Sequence, residues 1–338
     1  MNYKFLTPLI LLILVNPIHA VEEFEDLSGP ITTGPSLAQE QTVSAPKIPP
    51  PNKGIASAAQ SEAGPKSDNK YTFSMGKSWR GIFSPSTPLY PPYIANPIRP
   101  MIAVNLVGVG DNDIFDSGDA RYHIRLGARV GFFRFHPVGD SSRGFQIDLE
   151  GAFLGVFDRD NSLDNIGWDG VYGALFTWSN GKGFAAKLAM QHDSSHVGDE
   201  YAERTGRKRI NYTRQEYAFG LSLAGFAHWR IYGEAGWAFD IRNEELQEKW
   251  RAEGGLEFED PDRFRNGKLG YFAAVDVMSY QESDWKSEVT VQAGLVLPVK
   301  DPERTWRFGL EYRKGRSVIG EFFQSRESHI ALGMWIDL

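Results

Sequence analysis

The residues best suited to chemistry lie in one stretch, His192-Asp193-Ser194-Ser195-His196. An imidazole can draw the proton from a serine hydroxyl and make it a nucleophile, provided the two share a face and a third group fixes the ring tautomer. On an extended strand, residues two apart point the same way, with backbones roughly 6–7 Å apart. His192 as base and Ser194 as nucleophile meet that condition. Gln215, or Asn211 in a shifted register, supplies the third group. The following loop carries Asp199 and Glu200, hard oxygen ligands suited to calcium, the one cofactor the sequence suggests. It also carries Arg204, Arg207, Lys208 and Arg209, which suit the phosphate groups of a lipid headgroup. No phosphate-cradling loop, HExxH or GxSxG occurs in the chain.

These residues need a scaffold, and from Met101 onward the chain shows period two. Leu126, Val130 and Phe132 alternate with Arg125, Arg129 and Gly131; Trp306, Phe308, Leu310 and Tyr312 alternate with Arg307, Gly309, Glu311 and Arg313. Such alternation marks strands with one apolar face. The runs are about 9–11 residues, the length that crosses a bilayer at a tilt, and Trp and Tyr recur at their ends. A soluble sandwich would use shorter strands. Twelve segments are expected, at 101–109, 120–134, 144–157, 167–178, 183–195, 210–224, 228–239, 250–259, 268–279, 286–298, 305–313 and 328–338. The predicted fold is all-β: an antiparallel transmembrane β-barrel of about twelve strands over 101–338, an even number as bacterial barrels require.

The remainder reads as export and tether. Phe5 to Val15 is apolar but too short to span a bilayer, which takes about 20 residues, so 1–20 is a signal peptide with cleavage after Ala20. Residues 21–70 are poor in large apolar side chains and include Ile48-Pro49-Pro50-Pro51, which predicts a disordered periplasmic linker. Residues 71–100 are proline-punctuated and are expected to lie irregularly against the barrel. There is no cysteine, which excludes a lipid anchor, disulfides and thiolate chemistry. A net charge of −7 disfavours nucleic acid. The mean hydropathy of −0.36 is compatible with a barrel, because alternating strands average to polar.

Parity assigns His192, Ser194 and His196 to the lipid face of the fifth barrel strand, and matching the apolar zones sets His192 beside Gln215 and Ser194 beside Thr213. Asp193 falls on the lumen face. With a periplasmic N-terminus the fifth strand ends at the cell surface, where outer-leaflet lipid presents acyl esters. The lumen list reads Arg125, Arg129, Asp148, Glu150, Arg214, Glu216, Arg230, Glu234, Asp276, Arg307, Glu311 and Arg313, both signs interleaved and able to close a narrow bore. His123, His136, His228 and His329 read as isolated structural residues.

The His192-Asp193-Ser194 core resembles that of outer-membrane phospholipase A, a twelve-stranded barrel with a His-x-Ser pair on one strand and an Asn on the next, facing lipid. It is also similar to that of the surface lipid A deacylase. The resemblance implies an acyl-hydrolase acting on phospholipid or lipid A. Gly333-Met334-Trp335-Ile336-Asp337-Leu338 resembles the C-terminal sorting signal of outer-membrane barrels. Tyr93-Ile94-Ala95-Asn96-Pro97, His192 to Tyr201 and Gly315 to Glu327 resemble an uncharacterised family of bacterial outer-membrane proteins known only as a domain of unknown function. Expected partners are outer-membrane lipid and lipopolysaccharide, the barrel-assembly machinery at insertion, and a second copy in a homodimer. Two other functions fit the pattern: a non-catalytic envelope barrel, with the His-Ser stretch a polar rim or a metal- or ligand-binding surface, and a small-solute channel.

Overall fold

The computed structural model describes residues 71–264, 267–300 and 303–337. The expected signal peptide, the linker and the terminal Leu338 lie outside them. Two short strands come first, β1 (Thr72–Met75) and β2 (Trp79–Phe83). The barrel follows: β3 (Ile102–Asn112), β4 (Ala120–Pro137), β5 (Arg143–Asp158), β6 (Asp164–Asn180), β7 (Phe184–Val197) and β8 (Thr213–Phe226). It continues with β9 (Trp229–Arg242), β10 (Trp250–Phe264), β11 (Leu269–Tyr280), β12 (Glu288–Lys300), β13 (Glu303–Arg316) and β14 (Arg326–Asp337). Helix α1 (Asp199–Thr205) interrupts the β7–β8 connection.

Each strand from β3 to β14 pairs antiparallel with its neighbours in sequence, and β14 pairs with β3, closing a twelve-stranded barrel. All twelve expected segments are present, most extended by a few residues. Connections at one end have five residues or fewer, as in 181–183 and 227–228; those at the other run from five to fifteen, the longest 198–212.

The wall is apolar outside and charged inside. Val130, Leu310 and Ile330 are 57%, 59% and 62% exposed, whereas Arg125 and Glu311 are 5% and 3% exposed. All twelve residues on the predicted lumen list are buried. A soluble protein would not leave such a continuous belt bare, because exposed apolar patches of that size are lost to association. The molecule is an outer-membrane-type β-barrel.

Residues 71–100 do more than lie against it. Strand β2 pairs with the lower part of β4, from Phe83 opposite Phe133 to Trp79 opposite Pro137, below the point where β3 begins. At Ser84, in the left-handed region at φ 51°, the chain leaves the wall, and Tyr90 to Arg99 bond to luminal side chains before the chain re-enters the wall as β3. Gly131 permits the turn-in, since a Cβ there would stand 2.6 Å from the Pro85 carbonyl oxygen. At the long-loop end, Ile114, Val156, Ile166, Val197, Tyr201, Ile319 and Phe322 form an apolar cluster under α1 and the β13–β14 loop. This lid and the luminal plug bracket the interior.

Candidate functional site on the lipid-facing wall

Strand β7 meets β8 in the predicted register: Met190 opposite Tyr217, His192 opposite Gln215, Ser194 opposite Thr213. On the other side His192 stands opposite Tyr172, and Gln215 stands opposite Asp240 of β9. One transverse row, Tyr172–His192–Gln215–Asp240, therefore crosses four strands on the outer face. The His192 ring stacks on Tyr172, with centroids 4.5 Å apart and planes at 22°. Gln215 donates from Nε2 to Asp240 Oδ2 at 2.5 Å, which fixes the amide and leaves its oxygen available. His192 Nδ1 is buried without a partner among the described residues. Ser194 Oγ, half-buried on the same face, donates to the Gly170 carbonyl at 3.4 Å. No hydrogen bond joins His192 to Ser194 in this state. Asn211 lies outside the strand, exposed and left-handed at φ 56°, and is not opposite His192.

The second histidine heads a similar row. His196 stacks on Trp168 at 4.1 Å and 9°, and Arg209 donates from Nη2 to its Nε2 at 3.4 Å. The other cations of the loop are already engaged. Arg204 donates to Asp164 at 2.9 Å and to Asp116 at 2.7 Å, tying α1 to the start of β6 and to the β3–β4 loop. Arg207 donates to the Glu321 carbonyl at 2.8 Å and lies 4.3 Å over the Phe322 ring. Lys208 is exposed. Arg209 also pairs with Glu321 at 3.6 Å and donates to the Ser195 carbonyl at 3.3 Å, which leaves Lys208 nearest to what a headgroup needs. Tyr201 donates to the Phe115 carbonyl, and burial pushes its phenol pKa up, so it stays a donor.

Asp199 and Glu200 stand exposed in the first turn of α1. They offer two carboxylates where calcium takes six to eight oxygens. Among the described residues, no group of three or more His, Asp or Glu side chains is arranged to hold a metal.

Sequence reading passed over the plug. Its carbonyls receive wall arginines: Arg129 on Tyr90, Arg230 on Pro91 and Pro92, Arg125 on Asn96 and Arg99. Its own donors go to wall glutamates: Tyr93 Oη to Glu234 (2.9 Å), Asn96 Nδ2 to Glu253 (2.8 Å), the Ile94 amide to Glu257 (2.5 Å). The Tyr93 ring stacks on Tyr232 at 3.7 Å and 3°. Lys187, Arg251, Glu253 and Glu257 join the luminal charges by the same parity that gave the others. The signal for the plug was present: tyrosines, an Asn and an Arg set between prolines in an otherwise apolar stretch. His123 and His329 are also not isolated, since their rings meet edge-on at 5.2 Å.

Among solved structures the chain is similar to the Salmonella typhi outer membrane phospholipase, crystallised as a dimer with bound calcium. The identity is 8%, covering 73% of this chain and 94% of that one, with a TM-score of 0.48. Outer membrane phospholipase A from Escherichia coli gives 8%, 72% and 94%, with a TM-score of 0.48. Pseudomonas putida OprB gives 8%, 69% and 91%, with a TM-score of 0.31. No curated protein sequence matches. Residues 67–337 match the family model described as Protein of unknown function (DUF1207), and the chain belongs to that family.

Proposed function

We propose that the protein resides in the bacterial outer membrane as an acyl-hydrolase of outer-leaflet lipid, with Ser194 as nucleophile and His192 as base. The observation that carries this reading is the lipid-facing row itself. His192 has an unpartnered Nδ1, Ser194 follows two residues on along the same face, and Gln215, held by Asp240, stands opposite the imidazole. Rotation about χ1 would take Ser194 Oγ off the Gly170 carbonyl, a weak bond at 3.4 Å, and turn it toward the ring. The Gln215 carbonyl oxygen would accept from the other ring nitrogen and hold the tautomer.

The chemistry then runs in two halves. Ser194 Oγ attacks the ester carbonyl while His192 takes its proton. The tetrahedral intermediate collapses, and the protonated imidazole returns the proton to the departing alcohol oxygen. Water, deprotonated by His192, attacks the Ser194 ester, and the imidazolium returns that proton to Ser194 Oγ as the fatty acid leaves. The short-turn end faces the periplasm in this reading, by the usual asymmetry of bacterial barrels, so the row meets the outer leaflet. Lys208 and Arg209 would sit at headgroup level.

The test is fatty-acid release by purified full-length protein from phospholipid and from lipid A in mixed micelles, with calcium and with a chelator. Ser194→Ala should lower release by about 10³-fold or more, as loss of a nucleophile does. Gln215→Ala should cost roughly tenfold and Gln215→Asn less, because the amide orients and does not react. Release that persists unchanged in Ser194→Ala would remove the proposal.

A further inference from the structure

Arg242 ends β9 at the long-loop side of the barrel, outside the β7–β8 loop that carries the other cations. It is exposed, and its guanidinium meets no partner among the described residues; only its backbone carbonyl is taken, by Gln247. Its register places it. Ser194 stands opposite Thr213, and Thr213 opposite Arg242, so the proposed nucleophile and an unengaged cation share one transverse row. Arg214 and Ile241, paired between this row and the Gln215–Asp240 row, are buried, which leaves Arg242 on the outer face.

Four such rows succeed one another along β7, β8 and β9 toward the long-loop end. They are Leu188–Phe219–Ala235, Met190–Tyr217–Trp237, His192–Gln215–Asp240 and Ser194–Thr213–Arg242. The first two are apolar and exposed. The order along the wall is therefore acyl-chain surface, base, then nucleophile with its cation. A phosphoglyceride presents its parts in the same order: chain, ester, and a phosphate beyond the glycerol backbone. Two strand spacings put Ser194 and Arg242 about 9–11 Å apart at their backbones. The glycerol backbone spans about 7 Å from ester carbonyl to phosphorus when extended. An arginine can lay its apolar stem along the wall and lift its charged head to a phosphate at that distance. The guanidinium fork then matches two phosphate oxygens. Asp240, two residues before Arg242 on the same face, is held by Gln215 at 2.5 Å.

We propose that Arg242 binds the phosphate of the lipid whose ester Ser194 attacks, so that the substrate of this wall is a phosphoglyceride. The position of the ester rests on the acyl-hydrolase reading; the unengaged guanidinium does not. The phosphate keeps its charge while the ester is cleaved. Arg242 therefore holds ground and transition states alike and acts on KM.

Fatty-acid release by the full chain in mixed micelles tests it, with phosphatidylglycerol compared against diacylglycerol of the same chains. Arg242→Gln should raise the KM for phosphatidylglycerol about tenfold, as loss of a charged hydrogen-bonding partner does, with little change in kcat. The KM for diacylglycerol should move far less, and Arg242→Lys should recover most of the loss. The side chain has no partner to lose, so the variant should fold with the parent's gel mobility. Equal KM changes for both lipids, or none for either, would overturn the phosphate site. Lipid retained by the Ser194→Ala protein, counted by native mass spectrometry, separates this site from the hydrolase reading. If the parent releases no fatty acid but Arg242→Gln in that background weakens phosphatidylglycerol binding about tenfold, the phosphate site stands and the hydrolase falls. Normal release by the parent with unchanged retention would do the reverse. Glycerophosphate should compete poorly for want of acyl chains. Competition at the lipid's own concentration would make this a site for soluble phosphate and overturn the assignment.

Discussion

Glu234 gathers three cations at once, Lys187 at 2.5 Å, Arg251 at 2.7 Å and Arg99 at 3.1 Å, and accepts the Tyr93 hydroxyl at 2.9 Å. Its partners come from the plug and from the walls on either side, so it binds the plug to the barrel. Removing one member of a buried charge group leaves the others uncompensated, at a cost of about 3–5 kcal/mol. Glu234→Ala should lower the unfolding free energy by that amount in urea titrations followed by tryptophan fluorescence; a loss below about 1 kcal/mol would mean that the remaining carboxylates absorb the three cations. Glu234→Gln keeps the acceptor for Tyr93 and should cost less. At this scale, parity revealed which way a side chain points and little about what it touches. Period two placed His192, Ser194 and Gln215 on the outer face and Glu234 within, because a one-residue slip would turn the whole apolar set inward. It could not show Ser194 turned to Gly170, or Asp240 clasping Gln215, because those contacts depend on rotamers and on a third strand.

Among the elements, the β13–β14 loop is latched by two carboxylates, Glu321 and Asp169. Glu321 accepts the amides of Ile210 (2.7 Å) and Tyr212 (3.1 Å), and its own amide donates to Ser195 Oγ at 2.8 Å. Asp169 accepts the Ser195 hydroxyl and the Gly320 amide, so the lid loop is stitched to β6, β7 and the segment before β8. Gly320 allows the approach, since a Cβ there would stand 2.4 Å from the Tyr212 ring. Glu321→Ala orphans two amides at about 1–3 kcal/mol and should loosen the lid locally without unfolding the barrel. Trypsin should then cut after Arg207, Lys208 or Arg209 roughly tenfold faster, while the folded barrel's gel mobility is unchanged. An unchanged cleavage rate would mean that Arg204, bound to Asp116 and Asp164, holds the loop unaided. The strands of the wall were legible because lipid outside and charge inside impose a strict alternation. The β1–β2 hairpin and α1 were not, being four, five and seven residues long, too short for a period to emerge. The hairpin exists because β4 runs on past the start of β3 and leaves a ladder unpaired.

For the molecule as a whole, interleaved charges led to the expectation of a crowded bore, and the interior is crowded by more than side chains. The wall arginines are directed at backbone carbonyls of a segment that enters the lumen, which no strand pattern could disclose, because an irregular proline-punctuated segment has no period. Two obstructions lie in series along the axis. The plug, from Tyr90 to Arg99, is held by guanidinium–carbonyl bonds from Arg129, Arg230 and Arg125 and by donors to Glu234, Glu253 and Glu257. The lid packs Ile319 and Phe322 on Val156, Ile166 and Tyr201 at the far end. Conduction needs both to leave, and the first would expose several buried ion pairs of the kind that cost about 3–5 kcal/mol to break singly. The full chain should therefore give no stable conductance steps in planar bilayers across salts and voltages. Loosening one obstruction, by Glu321→Ala at the lid, should leave it silent, since the plug still fills the bore. Stable steps from the unmodified chain would show that plug and lid move together, and the small-solute channel would then outrank the lipid hydrolase.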